Sequence, residues 1–408
     1  MKGPRELVVN HRVIPAQAGI SVSRRLLNNR DSRLRGNDAV KVQEYMATPT
    51  LPSWARNLLP TLLTLFVSAA GGSIAMLLGL PAGWLMGGAL AVTAAAMAGM
   101  TVRMPDRLRD VAFVLIGMSM GASVAPDSLT LIASWPVSLA GLVLELVLII
   151  TLTGWMLARF FKLDPGTAYL SSFPGHLSFV MGIAAAGVGD ARQIVIIQVI
   201  RILMLTIAVP VGAVFLPIDH FMPPAPTSFL DIWQLLALAA GCIVVGLVFV
   251  RLKVPAGFVL GAMAAATVAK LGGLYIEAMP TPLVTVTFIL TGALIGSRFA
   301  GITRGEFVAA AKGGIIATSM TVGIVTLVAY GVSLVVDMPF GQIWLGLSPG
   351  ALEGMGALGI ALGYDTAFIA AHHVIRLLLL SFAIPTVVVL IRRREAAAIA
   401  RQEHAEEI

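Results

Sequence analysis

The sequence predicts an all-α polytopic membrane protein made of two inverted repeats, each with about five transmembrane helices and one re-entrant helix broken at Pro-Gly. Three observations carry that prediction. Composition is the first: 58% of the 408 residues are hydrophobic and 12% charged, with mean hydropathy +0.90, where soluble domains hold about 25% charged residues. The second is a duplication at a spacing of 174 to 175 residues. The third is a reversal of loop charge between the two copies.

Residues 1–45 stand apart, with nine Lys/Arg, four Asp/Glu and no apolar run long enough for a secretory signal. The stretch resembles the translation of a dispersed intergenic repeat, which makes Met46 the expected natural start; a cytoplasmic basic arm is the alternative. Either is expected to be disordered and to carry no chemistry. From Leu58, apolar segments are expected at about 58–78, 82–99, 110–124 and 136–160, then a broken segment at 167–189 and a helix at 191–216. Each full segment comes near the ~20 residues a bilayer-spanning helix needs. A Pro-rich loop at 217–231 joins this first repeat, 58–216, to the second, 232–391. There the segments recur at 232–250, 256–272, 282–297, 313–336, broken 341–364, and 366–391, before a charged tail at 392–408.

The repeat is written in particular residues. PAGWLMGGALAVTAA at Pro81 answers PAGFVLGAMAAATVA at Pro255, and Gly117 and Gly121 answer Gly292 and Gly296. Pro174-Gly175 answers Pro349-Gly350, Asp190 answers Asp365, Arg201 answers Arg376, and Pro210 answers Pro385. A register held over so many positions marks an internal duplication. The Gly-x-x-x-Gly spacings, Gly83 to Gly87 and Gly257 to Gly261 among them, read as faces for close helix packing.

Loop charge sets the orientation. The net charge of +7 is placed at segment ends, which is a topology signal rather than a nucleic-acid one. In the first half Arg103, Arg107, Arg109, Arg159, Lys162 and Arg192 mark one set of turns, while 79–81, 123–134 and 217–231 carry no Lys or Arg. In the second half Arg251, Lys253, Arg298, Arg304, Lys312 and Arg392 to Arg394 mark the opposite set, with Lys270 as the exception. Lys/Arg-rich short loops stay cytoplasmic, so the halves are expected to face opposite ways, with both termini inside. That needs an odd number of crossings per half, and the Pro-Gly segments are the ones expected not to span. Twelve crossings with parallel halves is the competing count.

The polar residues inside these segments are the candidate site. Arg201 and Arg376 stand about ten residues into their helices, a placement costing at least ~2.5–3.5 kcal/mol unless a partner or water is at hand. Two roles are open for them: hydrogen bonding to carbonyls of the broken segment, or holding an anionic ligand. Each follows its aspartate, Asp190 or Asp365, by eleven residues, which brings both onto one face about three turns apart. The aspartates are expected at the mouth, as gating or coupling groups. Gln198 and His372 add polar groups to the arginine face. Around Pro174-Gly175 lie His176 and Ser178; around Pro349-Gly350 lie Ser348, expected to cap a helix begun by Pro349, and Glu353. Open helix N-termini there would bind an anion. Glu145 is an acid without a counterpart, since Met320 occupies its repeat position. It is expected to neutralise Arg201, to carry a proton for coupling, or to serve structure alone.

The paired PAG(W/F), PG, D and IR…P motifs, and above all SPGALEGMGALGIALGYDTAFIAAHHVIRLLL, resemble the AbrB-duplication family over Leu58 to Arg394. The resemblance implies a multi-pass protein of the bacterial inner membrane and, in the family's inherited labels, either regulation of gene expression or ammonia monooxygenase activity. The six histidines show no H-x-x-x-H or E-x-x-H spacing, which disfavours a metal oxygenase. Beyond the arm and the tail no soluble segment offers a DNA-reading domain, so any effect on transcription is expected to be indirect. A lone cysteine, Cys242, inside an apolar run excludes disulfides. The expected function is therefore secondary transport of a small anionic solute, coupled to H⁺ or Na⁺, by alternating access between inverted repeats. A membrane sensor is the alternative. No catalytic residue, metal or cofactor is expected, and no direct contact with nucleic acid. The expected partners are the bilayer and the solute, with a homo-oligomer left open.

Overall fold

Fourteen helices make up the described residues, 53–124, 135–175, 177–214 and 228–406 of the computed structural model. In the first half these are α1 Ser53–Leu77, α2 Gly83–Met97, α3 Asp106–Ala122, α4 Trp135–Phe160, α5 Pro165–Ser172, α6 Leu177–Ala185 and α7 Ala191–Val214. The second half runs α8 Ile232–Arg251, α9 Gly257–Leu271, α10 Thr281–Ser297, α11 Arg304–Ser333, α12 Phe340–Leu347, α13 Leu352–Leu362 and α14 Thr366–Glu406. Each helix of the first half has its counterpart seven places on. Among the described residues there is no strand, only an isolated bridge between Phe229 and Ala278. The expected arm at 1–45, most of the loop at 217–231 and the last two residues lie outside the described residues. From Asn57 on, the described residues pack as one unit.

Local chemistry explains the element boundaries. Pro-Ala-Gly opens α2 and α9 alike, with Ala82 and Ala256 both left-handed at φ 51° as the N-cap residues. Asp231 opens α8 with a capping box to Gln234, and Thr303 opens α11 with one to Glu306. That second box starts α11 at Arg304, earlier than the 313 expected from hydropathy, because capping satisfies the polar first turns outside the apolar run. The last helix likewise continues past the expected 391, carrying the charged tail as helix to Glu406. Six helices, α1, α4, α7, α8, α11 and α14, are long and apolar enough to cross a membrane.

The broken segments are where Pro-Gly predicts them. The arms α5 and α6 hold 8 and 9 residues, and α12 and α13 hold 8 and 11. At ~1.5 Å per residue these are ~12–17 Å long, about half of a ~30 Å hydrocarbon core. The largest apolar core gathers around them, with Phe173, Leu347, Leu345 and Phe368 all fully buried.

Packing between the halves is reciprocal. In α3, a Cβ on Gly117 would stand 2.2 Å from the Val259 carbonyl oxygen of α9; in α10, one on Gly292 would stand 2.9 Å from that of Leu85 in α2. Val259 and Leu85 are repeat counterparts. Gly121 meets Met263 and Gly296 meets Ala89 in the same crossed fashion. Within each half, Gly71 closes on Gly87 and Gly246 on Gly261. Small residues let backbones approach where lipid supplies no hydrophobic drive between helices. Gly117→Leu should therefore lower stability by at least the ~1–3 kcal/mol typical of overpacking, read as a fall in the melting temperature in detergent. Gly241→Leu, on an exposed face with nothing within 4 Å of a Cβ, should leave it unchanged. Equal melting of the two would refute the crossing.

Candidate functional site

The site is assembled by the two helices that carry the buried arginines, α7 and α14. Each is pinned at its start by an aspartate. Asp190 Oδ1 accepts from the N–H groups of Arg192 (2.8 Å) and Gln193 (3.2 Å), while its own N–H donates to Thr167 Oγ1 at 2.6 Å. Asp365 Oδ1 accepts from Ala367 N–H at 2.8 Å, and its N–H donates to Gln342 Oε1 at 3.2 Å. Thr167 and Gln342 are counterparts in α5 and α12, so both caps tie the arginine helix to the first arm of the break. Capping accounts for the recurrence of these aspartates. Neither lines the cavity described below.

Eleven residues on, the guanidinium groups reach the other end of the same arms. Arg201 Nη1 donates to the Phe173 carbonyl at 3.0 Å, and Nη2 to Gln198 Oε1 at 3.4 Å; Gln198 Nε2 in turn donates to the Leu170 carbonyl at 3.2 Å. Arg376 Nη1 donates to the Ser348 carbonyl at 2.7 Å, and Nη2 to those of Gly346 (2.9 Å) and Leu347 (2.8 Å). The cations thus cap the C-terminal carbonyls of α5 and α12, groups that a helix end leaves without intrahelical partners. Of the two roles open to the arginines, the carbonyl-holding one is present here. Nε of each remains buried and without a partner.

Both arginines also wall a cavity of about 170 Å³. Pro174-Gly175 and Pro349-Gly350 bound it from the two breaks, and among the described residues Gln198, Glu353, Arg298 and His373 add polar groups to its lining. Gly175 needs to be glycine, since its φ of 124° is hardly open to a side chain. Glu353 forms an ion pair with Arg298, the residue just past α10. The counterparts of that pair, Ser178 and Ser123, are uncharged, so the lining is asymmetric.

Several expected residues are placed otherwise. Ser348 does not cap α13: its hydroxyl donates back to the Trp344 carbonyl at 2.7 Å, and Ala351, with no side-chain cap, begins the helix. Pro349 accordingly lies in the break and not at the first helical position. His372 is turned from the cavity toward α4, its Nε2 2.8 Å from Ser138 Oγ and its ring 4.0 Å from that of Phe368. Its neighbour His373 takes the cavity position. The repeat register carried that signal, since His373 is the counterpart of Gln198. Glu145, fully buried in α4, stands 3.8 Å from Arg376 Nη2 and pairs with it, not with Arg201. Neither of its oxygens has a hydrogen-bond partner. His176 and the side chain of Ser178 lie outside the described residues. Arg298 is the site residue that reading the sequence missed, because nothing local ties it to a partner 55 residues away. Among the described residues, no three His, Cys, Asp or Glu side chains gather to hold a metal.

Comparison with known proteins adds a family. A family model described as "Transition state regulatory protein AbrB" matches residues 84–392. The chain is 25% identical over 362 residues to "Uncharacterized protein YhjN" of Bacillus subtilis (strain 168), covering 81% of this chain and 92% of that one. It is also 25% identical over 308 residues to "Putative regulator AbrB" of Escherichia coli (strain K12), covering 73% and 86%.

Proposed function

From the premise that the chain belongs to the AbrB family, we propose that it is a multi-pass protein of the bacterial inner membrane that carries a small anionic solute by alternating access. The observation that supports this most is the cavity bounded by two interrupted helices with Arg201 and Arg376 in its walls. Secondary carriers hold substrate near mid-membrane between discontinuous helices of paired repeats. In this reading the repeats are inverted, the broken segments are re-entrant, five helices per half cross, and both termini are cytoplasmic. Arg298 and Glu353 offset one another, so the remaining guanidinium charge favours an anion.

The carbonyls at the breaks support one coupling ion over the other. Carriers that use Na⁺ commonly coordinate it with unwound carbonyls and half-helix C-terminal ends. Here guanidinium groups take up those ends, which favours H⁺. Glu145 is the proton carrier in this reading, since it can gain or lose a proton without surrendering a hydrogen bond. Among the described residues, Arg376 alone lies within ion-pair distance of it. Charged or titratable groups on the helices packed against α4 also include His372, His373, Arg392 and Arg393 on α14, Tyr169 on α5, and Arg304, Glu306, Lys312 and Tyr330 on α11.

Reconstituted vesicles test this. An inward proton gradient should drive accumulation of labelled short carboxylates, a Na⁺ gradient should not, and Glu145→Gln should abolish the proton-driven component. No uptake under either gradient would refute carriage. Such a result, with ligand binding retained, would favour a membrane sensor, the reading that the regulator-like names of the family and of the Escherichia coli relative suggest.

A further inference from the structure

We propose that Arg376 is the coupling residue of this site: it is the counter-ion shared by Glu145 and a carboxylate bound in the cavity, so that one proton taken up by Glu145 accompanies each carboxylate bound. This rests on the proton-coupled anion reading above and deepens it.

The buried charges are divided unevenly. Among the described residues, Arg201, Arg298 and Arg376 wall the cavity, and two carboxylates pair with them: Glu353 with Arg298, and Glu145 with Arg376 at 3.8 Å. Glu353 lines the cavity beside its arginine. Glu145, on α4, does not; it is joined to the cavity by Arg376, which does line it. Glu145 is fully buried and neither oxygen has a hydrogen-bond partner, so its charge depends on attraction to that one cation. A carboxylate in the cavity needs no open N–H of Arg376 to feel the same cation, because Coulomb attraction acts across several ångströms where water is excluded.

Ionised Glu145 balances Arg376 and repels a second anion; protonated Glu145 leaves the cation to the ligand. The proton therefore favours the carboxylate, and by linkage the carboxylate favours the proton to the same extent. Only one half carries this device. Among the described residues the counterpart Arg201 has no acid within ion-pair distance, and Met320 stands at the repeat position of Glu145. Arg201 thus supplies a fixed charge and Arg376 a switched one. Elements packed against α4 also carry His372, His373, Arg392 and Arg393 on α14, Tyr169 on α5, and Arg304, Glu306, Lys312 and Tyr330 on α11, with no titratable group on α12. Of these, the histidines ordinarily titrate near neutrality, so a test has to separate them from Glu145.

Purified full-length protein in lipid nanodiscs, with radiolabelled propionate as the probe, provides that test. From about pH 6 to about pH 8, wild-type affinity should fall about tenfold, within the range common for coupled sites, and binding in weak buffer should take up protons. Glu145→Gln, fixed in the uncharged form, should bind at the tighter, low-pH affinity throughout and take up none. The infrared difference spectrum on binding isotope-labelled propionate should gain a protonated-carboxyl band in the wild type, a signal that imidazole cannot give. That signature decides the matter even if the variant fails to fold. A pH dependence that persists in Glu145→Gln, or proton uptake without the carboxyl band, would overturn the coupling while leaving the anion site. Wild-type binding indifferent to pH would do the same. Absence of propionate binding at every pH would overturn the anion site on which the coupling rests.

Discussion

Arg376→Ala should cost this protein its fold as well as its ligand, and more severely than Arg201→Ala. Removing the Arg376 guanidinium strips partners from the Gly346 and Leu347 carbonyls at once, while that of Ser348 keeps the Gly350 N–H. An orphaned buried acceptor costs ~1–3 kcal/mol, so the loss is several kcal/mol, a large part of the ~5–15 kcal/mol that holds a domain together. It also leaves Glu145 buried without its cation, a further penalty of the kind that follows when one partner of a buried pair is removed. Arg201 holds one carbonyl, that of Phe173, which also accepts from the Gly175 N–H, together with Gln198, so its loss should be milder. Melting temperatures in detergent should rank wild type above Arg201→Ala above Arg376→Ala. Adding Glu145→Gln to Arg376→Ala should recover part of the loss, a coupling that separates the ion pair from the carbonyl contacts. Arg376→Lys should rescue only in part, because an ammonium is a point charge without the planar fork that spans three carbonyls. Wild-type melting in Arg376→Ala would mean that the break is held by something else.

All-or-none labelling is expected if the halves are inverted, as proposed. Leu78 and Leu252 are repeat counterparts just past α1 and α8, exposed by 70% and 68%. Arg251 and Lys253 flank the second, while residues 79–81 after the first have neither Lys nor Arg. Positively charged short loops remain in the cytoplasm. In a Cys242→Ala background, Leu78→Cys should react with an impermeant maleimide on intact cells, and Leu252→Cys only after lysis. Replacing Cys242 removes the sole native thiol, which is buried and bonded weakly to the Ala262 carbonyl. Labelling of both from one side would leave the duplication standing with parallel halves, and alternating access between them would have no basis.

Much of the architecture was legible because its signals are local. Pro-Gly interrupts a helix wherever it falls, and the breaks lie at Pro174 and Pro349 as expected. Pro-Ala-Gly starts α2 and α9 through backbone geometry that both copies share. Arginine at mid-helix announced that some buried partner had to exist. Hydropathy placed the start of α11 too late because the capping box at Thr303 extends polar turns beyond the apolar run.

The sequence by itself determined the class, the duplication, the two interruptions and the two buried cations, since each depends on composition or on spacing along one chain. Only the tertiary structure decided which groups meet: Glu145 with Arg376, Arg298 with Glu353, His373 rather than His372 on the cavity. Neighbouring residues on a helix differ by ~100° in direction, so one step along the chain separates a ligand wall from a contact with Ser138. Partners far apart in sequence are chosen by how helices dock, and that choice is made by packing across both halves together.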